Sequence, residues 1–183
     1  MTGQVLRKAK ASDTLCPVAR STLLVGDRWT ILIIRELFAG CARFDEILAQ
    51  TEATAQMLAA RLKQMEAEGL IERRAYSQRP LRHEYLLTAM GRELYPIILA
   101  FRAWGETWCK RPDEPRAVHM IHRKCGTELG LDGRCPTCDE LVAPSDMESR
   151  QDPEWAEERR QREAAHKEQI RLRAQKPSSR SSG

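Results

Sequence analysis

A helix, a glycine stop and a two-stranded hairpin follow one another directly between residues 54 and 88, and this order constrains the fold more than any other part of the chain. Thr54 suits a helix N-cap, since its hydroxyl can accept a hydrogen bond from an amide of the first turn. Gly69 allows the left-handed conformation that ends a helix, and Leu70 begins the first strand. Pro80 falls at the hairpin tip, where a missing amide donor costs least. The pattern predicts a winged helix-turn-helix, a fold that lies on DNA.

The predicted helix from Thr54 to Glu68 has two unlike faces. Its large apolar residues recur at intervals of three and four and therefore pack inward. The opposite face is small and polar, as a groove-entering helix requires, and it carries Gln56, Ala60 and Lys63.

Three further helices are expected before this unit. Pro17 suits the first helical position and Gly26 a helix stop, so the first helix lies between them. Asp27 is a plausible cap for a helix over residues 28–39, which is too apolar to be exposed. Residues 43–48 supply a short amphipathic helix.

A long helix is expected after the hairpin, from Thr88 to about Lys110. Pro96 falls inside it and should kink it, because proline removes one backbone hydrogen bond and crowds an earlier carbonyl. The apolar stripe of this helix, which ends at Trp104 and Trp108, is longer than one small core needs. Core packing alone is one interpretation; we favour a two-fold homodimer interface, the commonest symmetry of soluble oligomers.

Charge and hydropathy bound the class of protein. The 183 residues are enough for one domain with a core and a small appendage, and the net charge of +4 is modest for a nucleic-acid binder. Local charge must therefore carry any interaction with DNA. The apolar stretches fall far short of the roughly 20 residues of a bilayer span, and the N-terminus has no apolar signal region. We expect a cytoplasmic protein with no membrane partner.

Four side chains of the metal-ligating type occur as two close pairs, His122 with Cys125 and Cys135 with Cys138. A turn residue after each pair lets backbone amides point at a thiolate sulfur. Four such ligands complete a tetrahedral Zn²⁺ site with no open position, which favours a structural role over catalysis. We predict a small zinc ribbon held by these four residues, with His119 as the substitute for His122.

Two alternatives to zinc are a redox pair and an unmetallated remnant. A redox pair is usually set in an α/β unit, and none surrounds Cys135 and Cys138. The other three of the six cysteines lie far apart in sequence, which fits a reduced compartment better than a disulfide framework.

The expected fold class is α+β and mostly α, in four segments. Residues 1–14 form a basic arm near DNA phosphates or, alternatively, a frayed terminus. Residues 15–111 form the winged helix-turn-helix and dimerisation domain, and residues 116–147 the zinc-ribbon-like module. Residues 148–183 form a charged tail, in which a solvated, partly formed helix precedes a disordered end.

An ordered series of short motifs runs through about residues 15 to 110 without an obvious gap: Cys16-Pro17, Gly26-Asp27-Arg28-Trp29, Leu37, Arg43-Phe44, Leu58, Arg61-Leu62, Glu68-Gly69-Leu70-Ile71, Arg73-Arg74, Pro80, Tyr85, Leu87-Thr88 and Gly91. The series resembles the HxlR-type winged-helix transcriptional regulators, relatives of the MarR proteins. The resemblance implies a homodimeric bacterial repressor or activator. It also implies that the helix over residues 54–68 enters the major groove, while the hairpin tip near residues 77–82 reaches the neighbouring minor groove or the backbone.

By this resemblance Gln56, Ala60 and Lys63 face base edges. Glutamine can pair with adenine in bidentate fashion, and alanine suits the thymine methyl group. The residues expected on phosphates, which fix register without specifying sequence, are Thr54, Arg61, Arg79 and Arg82. Arg61 has a second interpretation, a salt bridge within the domain.

Cys16 is a candidate redox sensor. A helix start can lower a thiol pKa, and several relatives with a cysteine-proline pair at this place sense oxidants or electrophiles. The alternative is a small, partly buried packing residue. A small-molecule effector, bound between the long helices and the wing domains, is the other candidate signal.

These observations favour a sequence-specific DNA-binding regulator that occupies a pseudo-palindromic operator as a homodimer. We expect it to act as a repressor rather than as an activator. The alternative is a protein interaction module, in which the zinc ribbon and the tail bind a partner and the winged helix is a scaffold. An enzyme is not expected, since the sequence has neither a phosphate-binding glycine loop nor a nucleophile elbow.

Overall fold

The computed structural model describes residues 14–175, so most of the expected basic arm and the last residues of the tail lie outside it. The helices are α1 (Pro17–Val25), α2 (Arg28–Phe38), α3 (Phe44–Thr51), α4 (Ala55–Ala67), α5 (Ala89–Arg92), α6 (Tyr95–Trp108) and α7 (Pro153–Gln175), with a short 3-10 helix at Pro144–Asp146. The strands are β1 (Ile71–Gln78), β2 (Leu81–Leu87), β3 (Val118–His122), β4 (Arg134–Cys135), β5 (Glu140–Leu141) and β6 (Met147–Gln151). None of the described helices is long and apolar enough to cross a bilayer.

The first lobe, from α1 to α6, has the predicted order of helices followed by a hairpin. Asp27 caps α2, because its Oδ1 accepts hydrogen bonds from the amides of Trp29 (2.9 Å) and Thr30 (3.2 Å). Gly69, with φ of 77°, ends the α4 region and turns the chain into β1. The lobe is built around fully buried side chains from α2, α3, α4 and the start of β1: Ile33, Ile34, Ile47, Leu58, Leu62, Met65, Leu70 and Ile71.

The wing consists of β1 and β2 in antiparallel pairing, from Ile71 opposite Leu87 at the base to Gln78 opposite Leu81 at the tip. The register shifts between Ala75 and Ser77, which marks a β-bulge halfway along the hairpin.

The base of the wing is joined tightly to α5. The hydroxyl of Thr88 donates to the carbonyl oxygen of Gly69 at 2.6 Å and accepts a hydrogen bond from the amide of Gly91 at 3.1 Å. A Cβ atom at Gly91 would lie 2.1 Å from the carbonyl oxygen of Leu70. Only glycine therefore fits between α5 and the strand.

The expected single helix from Thr88 to Lys110 is wrong, because the chain breaks it into α5 and α6. Pro96 lies in the first turn of α6 rather than in a helix interior. Proline is well placed there, since the amides of a first turn have no partner within the helix. The break replaces the predicted kink.

The second lobe is a small β module packed on α6. Strand β3 pairs with β6, so the module extends past residue 147, its predicted end, to Gln151. Strand β4 pairs with β5. The module core consists of Leu129, Cys135, Val142 and Met147, and Tyr95 of α6 packs against it.

The expectation of a solvated, partly formed helix in the tail was wrong, because α7 is a continuous helix that docks on the first lobe. It runs over 23 residues and lies along α3 of the first lobe. The side-chain amide of Gln50 donates to the backbone oxygen of Arg159 at 3.1 Å, and Arg159 forms two hydrogen bonds to Glu36, at 3.1 and 2.7 Å. The helix docks through arginines and polar groups rather than through an apolar stripe, which is why its sequence suggested solvation.

Candidate nucleic-acid interface and metal site

The outward face of α4 is open to solvent. Thr54 caps the helix as predicted, its Oγ1 accepting from the amide of Met57 at 3.2 Å. Gln56, Ala60 and Lys63 are exposed. Within the described residues, neither Gln56 nor Lys63 makes a side-chain hydrogen bond or ion pair. A polar face with free donors and acceptors can therefore meet base edges in a groove.

Arg61 forms the salt bridge that the sequence left open as an alternative. Its Nη2 lies 3.1 Å from Oδ2 of Asp27, the residue that caps α2. Its Nη1 also donates to Oε1 of Gln64 at 3.1 Å. The guanidinium thus braces α4 against α2, and a phosphate contact would have to share it with Asp27.

The wing presents two kinds of arginine. On the strands, Arg73 lies 3.8 Å from Glu66 and Arg74 lies 2.6 Å from Glu84, so both are paired with carboxylates. At the tip, Arg79 and Arg82 are exposed. Neither tip arginine has an ion pair within the described part of the chain, which leaves both guanidinium groups available to phosphates.

The four predicted metal ligands come together in the module. The donor atoms of His122, Cys125, Cys135 and Cys138 all lie within 4.8 Å of one another. Nδ1 of His122 is 3.4 Å from the Cys125 sulfur, which is 3.6 Å from the Cys135 sulfur. His122 and Cys135 are buried. The two ligand pairs, which are separate in sequence, thus face one small space that could hold a metal ion.

The two turns around the cluster have the backbone shape that the spacing predicts. Gly126 and Asp139, each directly after the second ligand of a pair, have positive φ values of 72° and 52°. The amide of Cys138 points at the Cys135 sulfur at 3.4 Å. Both turns therefore curl around the sulfur atoms, as in a metal knuckle.

The donor set fits zinc on chemical grounds. Three thiols and one imidazole are soft ligands, and four protein ligands leave no coordination position open. Nε2 of His122 lies 3.8 Å from Oε1 of Glu140, so a carboxylate stands on the far side of the ring at more than hydrogen-bond distance. His119, the predicted substitute, instead bonds Glu128 through Nδ1 at 2.9 Å and stays outside the cluster.

The thiols of the cluster differ in acidity. Hydrogen bonds from Thr127 lower the pKa of Cys125 to about 6. The hydrogen bond to Cys125 and the neighbouring sulfurs raise the pKa of Cys138 to about 11. Cys125 is therefore the more acidic of these two thiols.

Cys16 lies at the N-cap position of α1 and is exposed. In the single chain this thiol is therefore accessible to a reagent in solution.

Sequence reasoning missed a second buried polar cluster, which is made by Glu36, Arg159 and Cys41. Glu36 has no solvent-exposed surface, and Arg35 donates to it at 2.8 Å from the same helix. Nη2 of Arg159 lies 3.4 Å from the Cys41 sulfur. Burial and the charge of Glu36 raise the pKa of Cys41 to about 11, so this thiol stays protonated. An acidic residue within the apolar stretch of α2 was the available signal.

A capped helix with an exposed polar face, set beside a β-wing, defines a winged helix-turn-helix protein. The family described as HxlR-like helix-turn-helix matches residues 24–113. A relative from Mycobacterium tuberculosis, the uncharacterized HTH-type transcriptional regulator Rv3095, is 37% identical over 125 residues, which cover 68% of this chain and 78% of that protein. The chain belongs to the HxlR-like helix-turn-helix family, as the motif series had indicated.

Two other similar proteins support this assignment. The HTH-type transcriptional regulator YodB of Bacillus subtilis is 36% identical over 103 residues, which are 55% of this chain and 92% of YodB. The crystal structure of PA1607, a candidate transcription factor, superposes with a TM-score of 0.59 at 32% identity. That match covers 76% of this chain and 97% of PA1607.

Proposed function

We propose that this protein is a DNA-binding transcriptional regulator that represses by occupying a pseudo-palindromic operator as a homodimer. The observation that carries the proposal is the exposed, unpartnered polar face of α4, with the free guanidinium groups of Arg79 and Arg82 on the adjacent wing. The similar proteins named as HTH-type transcriptional regulators support the same class. The protein acts in the cytoplasm, where DNA and reducing conditions are found together.

A second copy of the chain would cover the outer face of α6. Large apolar side chains recur there at helical spacing and are strongly exposed: Ile97 (40%), Phe101 (56%), Trp104 (60%) and Trp108 (73%). Exposing this much apolar surface to water is unfavourable, and association with a second copy would lower that free-energy cost by burying the surface. Binding to two half-sites would require the two α4 helices of such a dimer to lie about one turn of DNA apart.

Zinc has a structural role in the proposal. The ligands His122, Cys125, Cys135 and Cys138 would hold Zn²⁺ and stabilise the module that packs on α6. No reaction step is assigned to the metal, and no catalytic activity to the protein.

The regulatory signal is oxidation of Cys16 or, alternatively, a small ligand. The exposed thiol at the start of α1 supports the first. An open cavity of about 1090 Å³ between α6 and the module, lined by Leu99, Trp104, Leu141 and Val142 among others, supports the second.

Base reading by α4 is tested by Gln56→Ala. Loss of a bidentate contact should reduce the preference for operator DNA over unrelated DNA by about 1–3 kcal/mol, roughly five- to 150-fold. Arg79→Ala and Arg82→Ala should weaken binding to both DNAs alike. Each change should reduce the slope of log K against log salt concentration by about one unit. The measurement is equilibrium binding to the DNA upstream of the gene and to unrelated DNA, over a salt series.

Gln161→Ala, an exposed glutamine change on α7, is the matched control and should alter neither quantity. Equal and weak binding of the unchanged protein to both DNAs at physiological salt would overturn the proposal. That result would favour the interaction module, with the winged helix as a scaffold.

Control by oxidation is tested at Cys16. Peroxide or diamide should weaken operator binding by the unchanged protein several-fold, because modification at the start of α1 would disturb the lobe. The Cys16→Ser protein should bind the operator as tightly as the unchanged protein does, and oxidant should not change its affinity. Cys109→Ser, which also removes an exposed thiol, should remain sensitive. A Cys16→Ser protein that still responds would exclude this residue as the sensor.

A further inference from the structure

Helix α7 runs along α3 in the opposite direction and thereby approaches the wing. Its early part contacts the end of α3, where the amide of Gln50 donates to the Arg159 carbonyl. Two turns later, Nε2 of His166 lies 3.8 Å from Oδ1 of Asp45, in the first turn of α3. Successive residues of α7 therefore lie closer and closer to the hairpin.

A groove of about 600 Å³ separates the late part of α7 from the wing. The cap of α3 contributes Arg43, the wing contributes Tyr76 and Arg82, and α7 contributes Lys167 and Ile170. Arg82 is one of the two tip arginines without an ion pair in the described chain. The end of α7 is therefore a direct neighbour of the surface assigned to phosphates.

Charge is divided along this part of the sequence. Residues 153–170, which contain the docked part of α7, carry five acidic and four basic side chains. Residues 171–183 carry four basic side chains and no acidic one: Arg171, Arg173, Lys176 and Arg180. The helix thus joins a balanced docking segment to a purely basic one, and the junction lies beside the wing.

We propose that the end of α7, through Lys167 and Arg171, forms a third DNA-contacting surface, which binds phosphates next to those bound by the wing. This inference rests on the proposed function. Lys167 and Arg171 have side chains 72% and 70% exposed, and their only ion pairs in the described chain are with Glu163 and Glu168 of their own helix. Exposed pairs of this kind contribute little, so the cations can exchange a carboxylate for a phosphate.

The partner is the DNA backbone rather than base edges. Lysine and arginine on an exposed surface neutralise phosphates and release counterions, which strengthens binding to any sequence. The surface would therefore raise affinity and leave the operator preference to α4. It would also explain how a chain with a net charge of only +4 gathers enough local charge on one side.

The test is a variant with Lys167→Gln and Arg171→Gln in the full chain. Its matched control removes the same total charge away from this surface, by Arg111→Gln and Arg150→Gln. Binding to operator and unrelated DNA is measured over a salt series, after circular dichroism has shown that both variants are folded.

We expect the first variant to bind both DNAs several-fold more weakly at a given salt, with a salt dependence about one to two units smaller. The ratio of the two affinities should stay the same. The control should match the unchanged protein. An unchanged salt dependence in the first variant, or an equal loss in the control, would overturn the inference. If the unchanged protein shows no operator preference, the proposed function itself fails, and this outcome is distinct.

Discussion

Arg159→Ala should lower the free energy of unfolding by about 3 kcal/mol, the low end of the range for breaking a buried ion pair. Among the described residues, the change leaves the buried Glu36 with Arg35 as its remaining cationic partner. It also removes the two hydrogen bonds through which α7 holds α2, so α7 should become accessible to protease. Urea unfolding, followed by circular dichroism, measures the loss.

The effect has a defined dependence on pH. Burial raises the pKa of Glu36, but the hydrogen bond from Arg159 and the charges of Arg35 and Arg159 outweigh burial and hold this pKa below its ordinary value of 4.5. A carboxyl group with a lowered pKa stabilises the fold above the unfolded pKa, and this contribution is lost as pH falls through the folded pKa. The difference between the unchanged protein and Arg159→Ala should therefore be full at pH 7 and shrink below about pH 4.5.

Two controls separate the ion pair from general damage. Arg160→Ala removes an exposed arginine from the neighbouring position and should change stability by less than about 0.5 kcal/mol. Adding Glu36→Gln to Arg159→Ala should restore part of the loss, because no buried charge then remains. Equal stabilities of Arg159→Ala and Arg160→Ala would show that the contact contributes nothing.

Cys135→Ala should abolish stoichiometric zinc binding and unfold the β module. Cys135 is both a proposed ligand and a member of the module core, with no exposed surface. Structural zinc sites in small domains supply about 10–16 kcal/mol of apparent binding free energy, far more than this small core can replace. The measurements are zinc content per chain and the rate of proteolysis within residues 116–152.

Cys109→Ala removes an exposed thiol that lies outside the cluster and should leave zinc content and protection unchanged. Chelation of the unchanged protein should expose the same segment to protease as Cys135→Ala does. Retention of one zinc ion per chain by Cys135→Ala, or a module that resists protease without metal, would refute the proposed role.

Most of the first lobe follows from local sequence signals. The cap at Asp27, the cap at Thr54 and the turn at Gly69 act through atoms a few residues away, so the sequence displays them directly. The two-part helix was missed for a related reason. Pro96 fits either a kinked helix interior or a first turn, and the choice depends on how α5 packs against the wing.

The metal cluster and the docking of α7 show the limit of such signals. The ligand pairs were found because the two members of each pair are three positions apart and their chemistry is specific. Glu36 and Arg159 are 123 residues apart and belong to helices without a common pattern, so no periodicity connects them. The same holds for Asp27 and Arg61, whose salt bridge only the packing of α2 on α4 establishes.

The bulge divides the wing into a base, next to Ile71 and Leu87, and a tip, next to Gln78 and Leu81. Below the bulge, Thr88 donates a hydrogen bond to the Gly69 carbonyl oxygen at the base of the strands. Gly91 packs so closely against the Leu70 carbonyl oxygen that no methyl group fits there. Above the bulge, the hairpin carries Arg79 and Arg82 and has a weakened ladder between Ala75 and Ser77. A bulge bends its strand and increases the local twist, so residues 75–77 set the direction in which the tip leaves the base.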